Sequence, residues 1–229
     1  MNDILTLERL RCNISRIQDQ IEEARSKVNR SDEVTLVAVT KTVCVNTIKL
    51  LLELGIRNIG ENRVQSAQDK YRVLSTAKLT WHMIGHLQTN KTKLVLPIFD
   101  MIHSVDSIKL AKKISECSIN TTKILLQVNI SKEDSKHGFY EKQLQDKILE
   151  ISTLDNIKIC GLMTMAPFTD DMDTCRKYFR KTRILGEKLR DKGYIKQEKL
   201  ELSMGMSRDF NVAIEEGATL VRVGSAIFK

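Results

Sequence analysis

Residues 36–60 read LVAVTKTVCVNTIKLLLELGIRNIG, and this stretch decides the fold. LVAVT (36–40) carries no charge and does not alternate, as a strand covered on both faces should not. Asn46 is placed to cap a helix over TIKLLLELG, and Gly55 reads as its C-terminal stop. NIG (58–60) is a second short run. Strand, helix and strand in that order make a β-α-β unit, which requires parallel strands.

Outward from this unit the same alternation continues. Further apolar runs are WHMIG (81–85), DMIHSV (100–105), ILLQVNI (124–130), KICGLMTM (158–165), LELSM (200–204) and LVRVGSAI (220–227). Between them, Ser107 or Asp106 caps SIKLAKKISE, residues 140–151 and 171–192 are amphipathic, and DFNVAIEEG (209–217) again ends in Gly. Eight such units in about 190 residues predict an α/β fold, a single (β/α)8 TIM-type barrel at the short end of its usual size range. An open doubly wound sheet shares the alternation and stands as the alternative. Ahead of the barrel, Leu7, Leu10, Ile14, Ile17, Ile21, Ala24 and Val28 recur at steps of three and four, which predicts one amphipathic helix over residues 2–30. Its stripe is expected to pack on the rest of the chain, so that residues 1–229 form one domain. A coiled-coil partner is the alternative use of the same stripe.

Composition narrows the function. The hydrophobic fraction is 41%, too high for a disordered chain, and no apolar run approaches the roughly 20 residues of a membrane span. The net charge of +8 suggests nucleic acid or another anionic partner. Lys and Arg are dispersed among Asp and Glu, however, without a basic–aromatic cluster or a nucleic-acid motif, so most of this charge reads as solvated surface. Cys12, Cys44, Cys117, Cys160 and Cys175 are odd in number and contain no CxxC pair. They form neither a disulfide framework nor a zinc ribbon. The N-terminal MNDILTLERLRCNISR lacks a signal peptide's apolar segment. The protein is expected in a reducing cytoplasm.

In barrels of this kind the chemistry lies at the C-terminal ends of the strands. Lys41 follows LVAVT there. An amine at the mouth of an apolar barrel is expected to be partly desolvated, which favours the neutral, nucleophilic form able to attack an aldehyde. SMGMS (203–207) and VGSA (223–226) bring Gly and Ser to the ends of the last two strands, the usual phosphate location in this fold. Ordinary turns would use the same residues. Arg222 stands between Val221 and Val223 and needs a carboxylate or a ligand acceptor, because a guanidinium cannot be neutralised. His82 and His86 are four apart, but the intervening MIG reads as strand and turn, so they do not form a helical metal pair. GMS also lacks the full G-x-S-x-G elbow of a hydrolase.

A lysine, two phosphate-type loops and a buried arginine together suggest pyridoxal 5′-phosphate (PLP). The chain resembles the pyridoxal phosphate homeostasis family in LVAVTKT (36–42), IGENRVQ (59–65), WHMIGHLQTNK (81–91), HSVD (103–106), QVNISKEDSKHGF (127–139), GLMTMAP (161–167), LSMGMSRDF (202–210) and VRVGSAIF (221–228). The resemblance implies a barrel similar to the alanine racemase N-terminal domain, without that enzyme's C-terminal β-domain. It implies that Lys41 forms the Schiff base, that Arg222 faces the pyridine nitrogen, and that Ser207, Gly224 and Ser225 bind the phosphate. Asn62 is implied as a ring-side contact, with Met206 and His86 lining the same mouth. Arg63 and Arg208 depart from the family pattern, which has an aromatic residue and an acid there; both add positive charge near the site.

An arginine against the pyridine nitrogen does not protonate it as an aspartate would, so the ring is a weaker electron sink. The expected role is therefore to bind, buffer and deliver PLP, with apo-PLP enzymes as conceivable recipients, rather than to turn over. The chain is expected to be monomeric and to bind neither membrane nor nucleic acid. An amino-acid racemase or lyase is the alternative.

Overall fold

The computed structural model describes residues 6–133, 136–197 and 199–229. Eight strands run through it: β1 (Thr35–Val39), β2 (Asn58–Glu61), β3 (Thr80–Met83), β4 (Met101–Val105), β5 (Thr122–Gln127), β6 (Ile157–Met163), β7 (Glu201–Ser203) and β8 (Leu220–Val223). Each pairs in parallel with the next, and β8 pairs back onto β1 from Thr35↔Leu220 to Ala38↔Val223. That last pairing closes the barrel and excludes the open sheet, whose first and last strands would be unpaired edges.

The outer helices follow the strands: α2 (Val45–Glu53), α3 (Val64–Leu74), a short α4 (Thr92–Val95), α5 (Ile108–Cys117), α6 (Glu141–Ser152), α7 (Met172–Asp191), α8 (Phe210–Glu215) and α9 (Ser225–Phe228). Ser107 caps α5 by accepting from the Leu110 N–H at 3.3 Å. Gly55 takes φ +81° just beyond α2, the left-handed stop that a glycine there supplies. Asn46 is not the α2 cap. The chain turns directly out of β1 (Val43 N–H to Thr40 O, 3.1 Å), so the helix starts early and Cys44 occupies the cap position.

The N-terminal helix α1 spans Leu7–Lys27, capped by Thr6. It is shorter than the predicted 2–30. Residues 2–5 lie outside the described residues, and Asn29, at φ +53°, turns the chain toward β1. The predicted stripe is used within the chain: Leu10, Ile14, Ile17, Ile21 and Ala24 are buried. Asn13 adds specificity by donating to Ile227 O at 2.9 Å and Lys229 O at 3.2 Å, satisfying carbonyls at the end of α9.

The barrel interior is divided. Val37, Leu125, Cys160, Met163 and Leu220 make a small apolar cluster separate from the large core under the helices. Bulky aliphatic layers are the usual filling of such a barrel. Strand alternation puts Arg222 on the same inward face as Leu220, two residues on. Around it stand Asn58, His82, His103 and Ser203, an unusually polar layer for a barrel interior.

Candidate functional site

The polar layer is hydrogen-bonded from end to end. Arg222 is 5% exposed and donates through Nη1 to Ser203 Oγ at 2.6 Å and through Nη2 to Thr164 O at 2.9 Å. Ser203 Oγ lies 2.8 Å from His103 Nδ1, His103 Nε2 lies 2.9 Å from His82 Nδ1, and His82 Nε2 lies 3.0 Å from Asn58 Oδ1. Burial lowers Arg222 to about 10, with the nearby Asp209 carboxylate opposing, so the guanidinium is charged at neutral pH. Burial holds both imidazoles neutral. It lowers His82 to about 4, assisted by the Lys123 charge, and His103 well below its ordinary value, assisted by His82 and Arg222. Sequence reasoning treated the histidines as weak signals and missed this layer. Its one legible trace was a histidine inside each of two consecutive strand-like runs, His82 and His103.

The partner of Arg222 is a set of neutral acceptors. Among the described residues, no ion pair joins it to a carboxylate. Asp209 is buried, with its carboxyl raised by desolvation, and spends its Oδ1 on the Met206 N–H at 2.6 Å. That bond shapes the loop after β7, where Gly205 takes φ +90° and a Cβ would lie 2.6 Å from Ala213 Cβ. Arg222 N–H also donates to Gly205 O at 3.0 Å, so the loop and β8 are locked together.

The two small-residue loops meet at Ser207. Ser207 Oγ accepts from Gly224 N–H at 3.2 Å and from Ala226 N–H at 3.4 Å. Gly224 packs against β1; a Cβ there would come within 3.2 Å of Val39 Cβ. Ser225, next in the chain, is exposed, and Met206 stands beside Ser207 at 39% exposure. The Ser207 hydroxyl and the Gly224 and Ala226 N–H groups thus converge beside the strand that leads to Lys41.

Lys41 sits just past β1. It is exposed, so the desolvation expected from the preceding LVAVT is not what the structure shows. The strand ends at Val39, Thr40 takes the last buried place, and Lys41 already lies in the turn beyond the sheet. What the fold supplies is a fixed base for it. Lys70 Nζ donates to Thr40 O at 2.7 Å and pairs with Glu61 at 2.6 Å, and Thr40 Oγ1 donates to the same Glu61 oxygen at 2.7 Å. Glu61 is fully buried beneath α3, an ion pair the sequence did not reveal. Asn62 follows Glu61 and is half-buried. A Cβ on Gly85 would stand 2.2 Å from Asn62 O, so the ends of β2 and β3 approach as only glycine permits.

His86 is at the end of β3, away from His82. Its Nδ1 is 3.0 Å from Asp106 Oδ2, and its ring stacks on His137 at 3.9 Å between centroids and 12° between planes. With Asp106 these rings could offer three metal-ligand atoms, but nearly parallel planes do not converge on one ion. The departures from the family pattern lie on the rim. Arg63 is exposed at the start of α3. Arg208 pairs with Asp170 and lies 4.6 Å over the Phe168 ring, which binds its charge to the loop after β6.

Comparisons with known proteins agree with this geometry. Residues 12–229 match the alanine racemase N-terminal domain family. Pyridoxal phosphate homeostasis proteins of Aquifex aeolicus and Vibrio cholerae are 37% and 40% identical; the first match covers 94% of this chain and 95% of the relative, the second 94% of each. PipY of Synechococcus elongatus PCC7942, solved with PLP bound, superposes with a TM-score of 0.80 at 33% identity over 91% of this chain and all of that one. An alanine racemase of Clostridium difficile, at 16% identity and a TM-score of 0.73, shares the fold: 96% of this chain matches 56% of that one. The chain belongs to the family of pyridoxal phosphate homeostasis proteins, built on the alanine racemase N-terminal barrel.

Proposed function

We propose that this chain binds PLP at the barrel mouth where β1, β2, β7 and β8 end, and that it buffers and delivers the cofactor in PLP homeostasis without robust turnover. One observation carries the reading. The Ser207 hydroxyl, which accepts from the Gly224 and Ala226 N–H groups, stands at the end of β8, the strand that carries buried Arg222 and pairs with β1, just before Lys41. A PLP-bound relative of the same fold at 33% identity supports it.

The residues present fit the group. PLP, when bound, supplies an aldehyde that a lysine amine can attach and a phosphate dianion that needs N–H and hydroxyl donors. Lys41 is the attachment residue; just before it, Lys70 holds the Thr40 carbonyl and Glu61 accepts from the Thr40 hydroxyl. Ser207, Gly224 and Ser225 hold the phosphate, with Met206 beside them. Asn62 bounds the ring side. Arg222 presents donors only, so it can bond a pyridine nitrogen without giving it a proton at neutral pH.

That last property supports binding over catalysis. The N-terminal stripe is consumed within the chain, which supports a monomer. All five cysteines are free thiols, which supports a reducing cytoplasm. No described helix is long and apolar enough to cross a membrane. Delivery makes apo-PLP enzymes the natural partners. The test is addition of PLP to the purified protein and its Lys41→Ala variant. A visible imine band in the first and none in the second is expected. A colourless wild-type protein overturns the reading, and sustained turnover of L-amino acids abolished by Lys41→Ala replaces it with catalysis.

A further inference from the structure

We infer that Ser203, His103, His82 and Asn58 form a one-directional hydrogen-bond chain that fixes the Arg222 guanidinium in the orientation in which it meets the cofactor ring. The inference rests on the reading that Arg222 faces PLP, and it adds positioning residues that make no contact with the cofactor themselves.

The direction follows from the two ends. Arginine has donors only, so Ser203 Oγ accepts from Nη1 at 2.6 Å. Asn58 Oδ1 can only accept, so His82 Nε2, 3.0 Å away, carries that ring's proton. His82 Nδ1 is then bare, and the proton in its 2.9 Å contact with His103 belongs to His103 Nε2. His103 Nδ1 is bare in turn and accepts the Ser203 hydroxyl proton at 2.8 Å. Each contact holds one proton and each ring carries one. A second proton on either ring would set N–H against N–H or against the hydroxyl proton.

Reversal at any single link sets donor against donor or acceptor against acceptor in a water-poor interior, so the whole chain turns or none of it does. Arg222 is therefore held by an arrangement that crosses the barrel from β8 through β7, β4 and β3 to β2. The second guanidinium bond, to Thr164 O at 2.9 Å, fixes the plane of the fork.

Two variants and one measurement test this. His103→Leu removes both bonds of that ring; His103→Asn restores an acceptor near the former Nδ1 position. PLP affinity is read by titration, and the pH profile of the bound cofactor's absorbance is read alongside. His103→Leu is expected to weaken PLP binding on the order of tenfold and to shift that profile, while His103→Asn recovers part of both. Wild-type affinity and profile in a folded His103→Leu protein, or equal behaviour of the two variants, would overturn the inference. Nitrogen-15 NMR of the wild-type histidines covers the case in which Leu prevents folding. Bare Nδ1 and protonated Nε2 on both His82 and His103 are expected, and the opposite tautomer on either refutes the chain. Failure of the wild-type protein to take PLP at Lys41 would instead strike the functional reading on which the inference rests.

Discussion

Acidification probes the barrel interior directly, because two neutral histidines are linked through Ser203 to a buried guanidinium. Burial, with the Lys123 charge, lowers His82 to about 4 in the folded chain, while an unfolded imidazole titrates near 6.5. The folded value lies below the unfolded one, so protons favour the unfolded state. The contribution is fully present above about pH 6.5 and is lost as pH falls toward 4. At about 1.36 kcal/mol per unit, His82 alone costs about 2 kcal/mol at pH 5 and about 3 kcal/mol at pH 4. His103 is fully buried and lowered further, so it acts in the same direction. Urea unfolding at steps between pH 7.5 and 5 measures the slope. His82→Asn, which keeps a neutral hydrogen-bonding side chain, should take up about one proton fewer on unfolding near pH 5. Equal slopes would show that His82 is not held neutral by the fold.

Other perturbations have separate signatures. Lys70→Met leaves the fully buried Glu61 without its cation. It should cost about 3–5 kcal/mol in urea unfolding, with most of the loss recovered in the Glu61→Leu/Lys70→Met double variant. Gly85→Ala forces a backbone shift where a Cβ would lie 2.2 Å from Asn62 O. It should cost roughly 1–3 kcal/mol and weaken PLP binding measured by titration. Arg208→Ala breaks an exposed pair with Asp170 and should change stability by less than about 1 kcal/mol.

The barrel was legible in the sequence because its signal is local and repeated. LVAVT, its helix and NIG show one unit, and six later runs repeat the pattern. Closure depends on pairing of Thr35 with Leu220 across nearly the whole chain, and no local pattern encodes it. The exposed lysine and the two Gly/Ser loops were legible because each stands at the end of a strand. Their meeting at Ser207 Oγ is supplied by the fold and has no local signal. The Asn58–His82–His103–Ser203–Arg222 layer was illegible because its members lie on five strands. Each looks like an isolated polar residue in an apolar run until the barrel turns them inward together. Lys70 and Glu61 were hidden similarly, one on a helix and one at a strand end, nine residues apart. The Asn46 cap failed because local propensity could not anticipate the tight turn at Val43. Desolvation of Lys41 failed because the buried place at the mouth went to Thr40.

The central claim is that Lys41 holds PLP at this mouth. Borohydride reduction of the PLP-loaded protein, followed by peptide mass mapping, tests it most directly. A phosphopyridoxyl adduct on Lys41 is expected, and it should disappear when reduction precedes PLP addition. An adduct confined to another lysine, or no adduct in protein that has bound PLP, would contradict it.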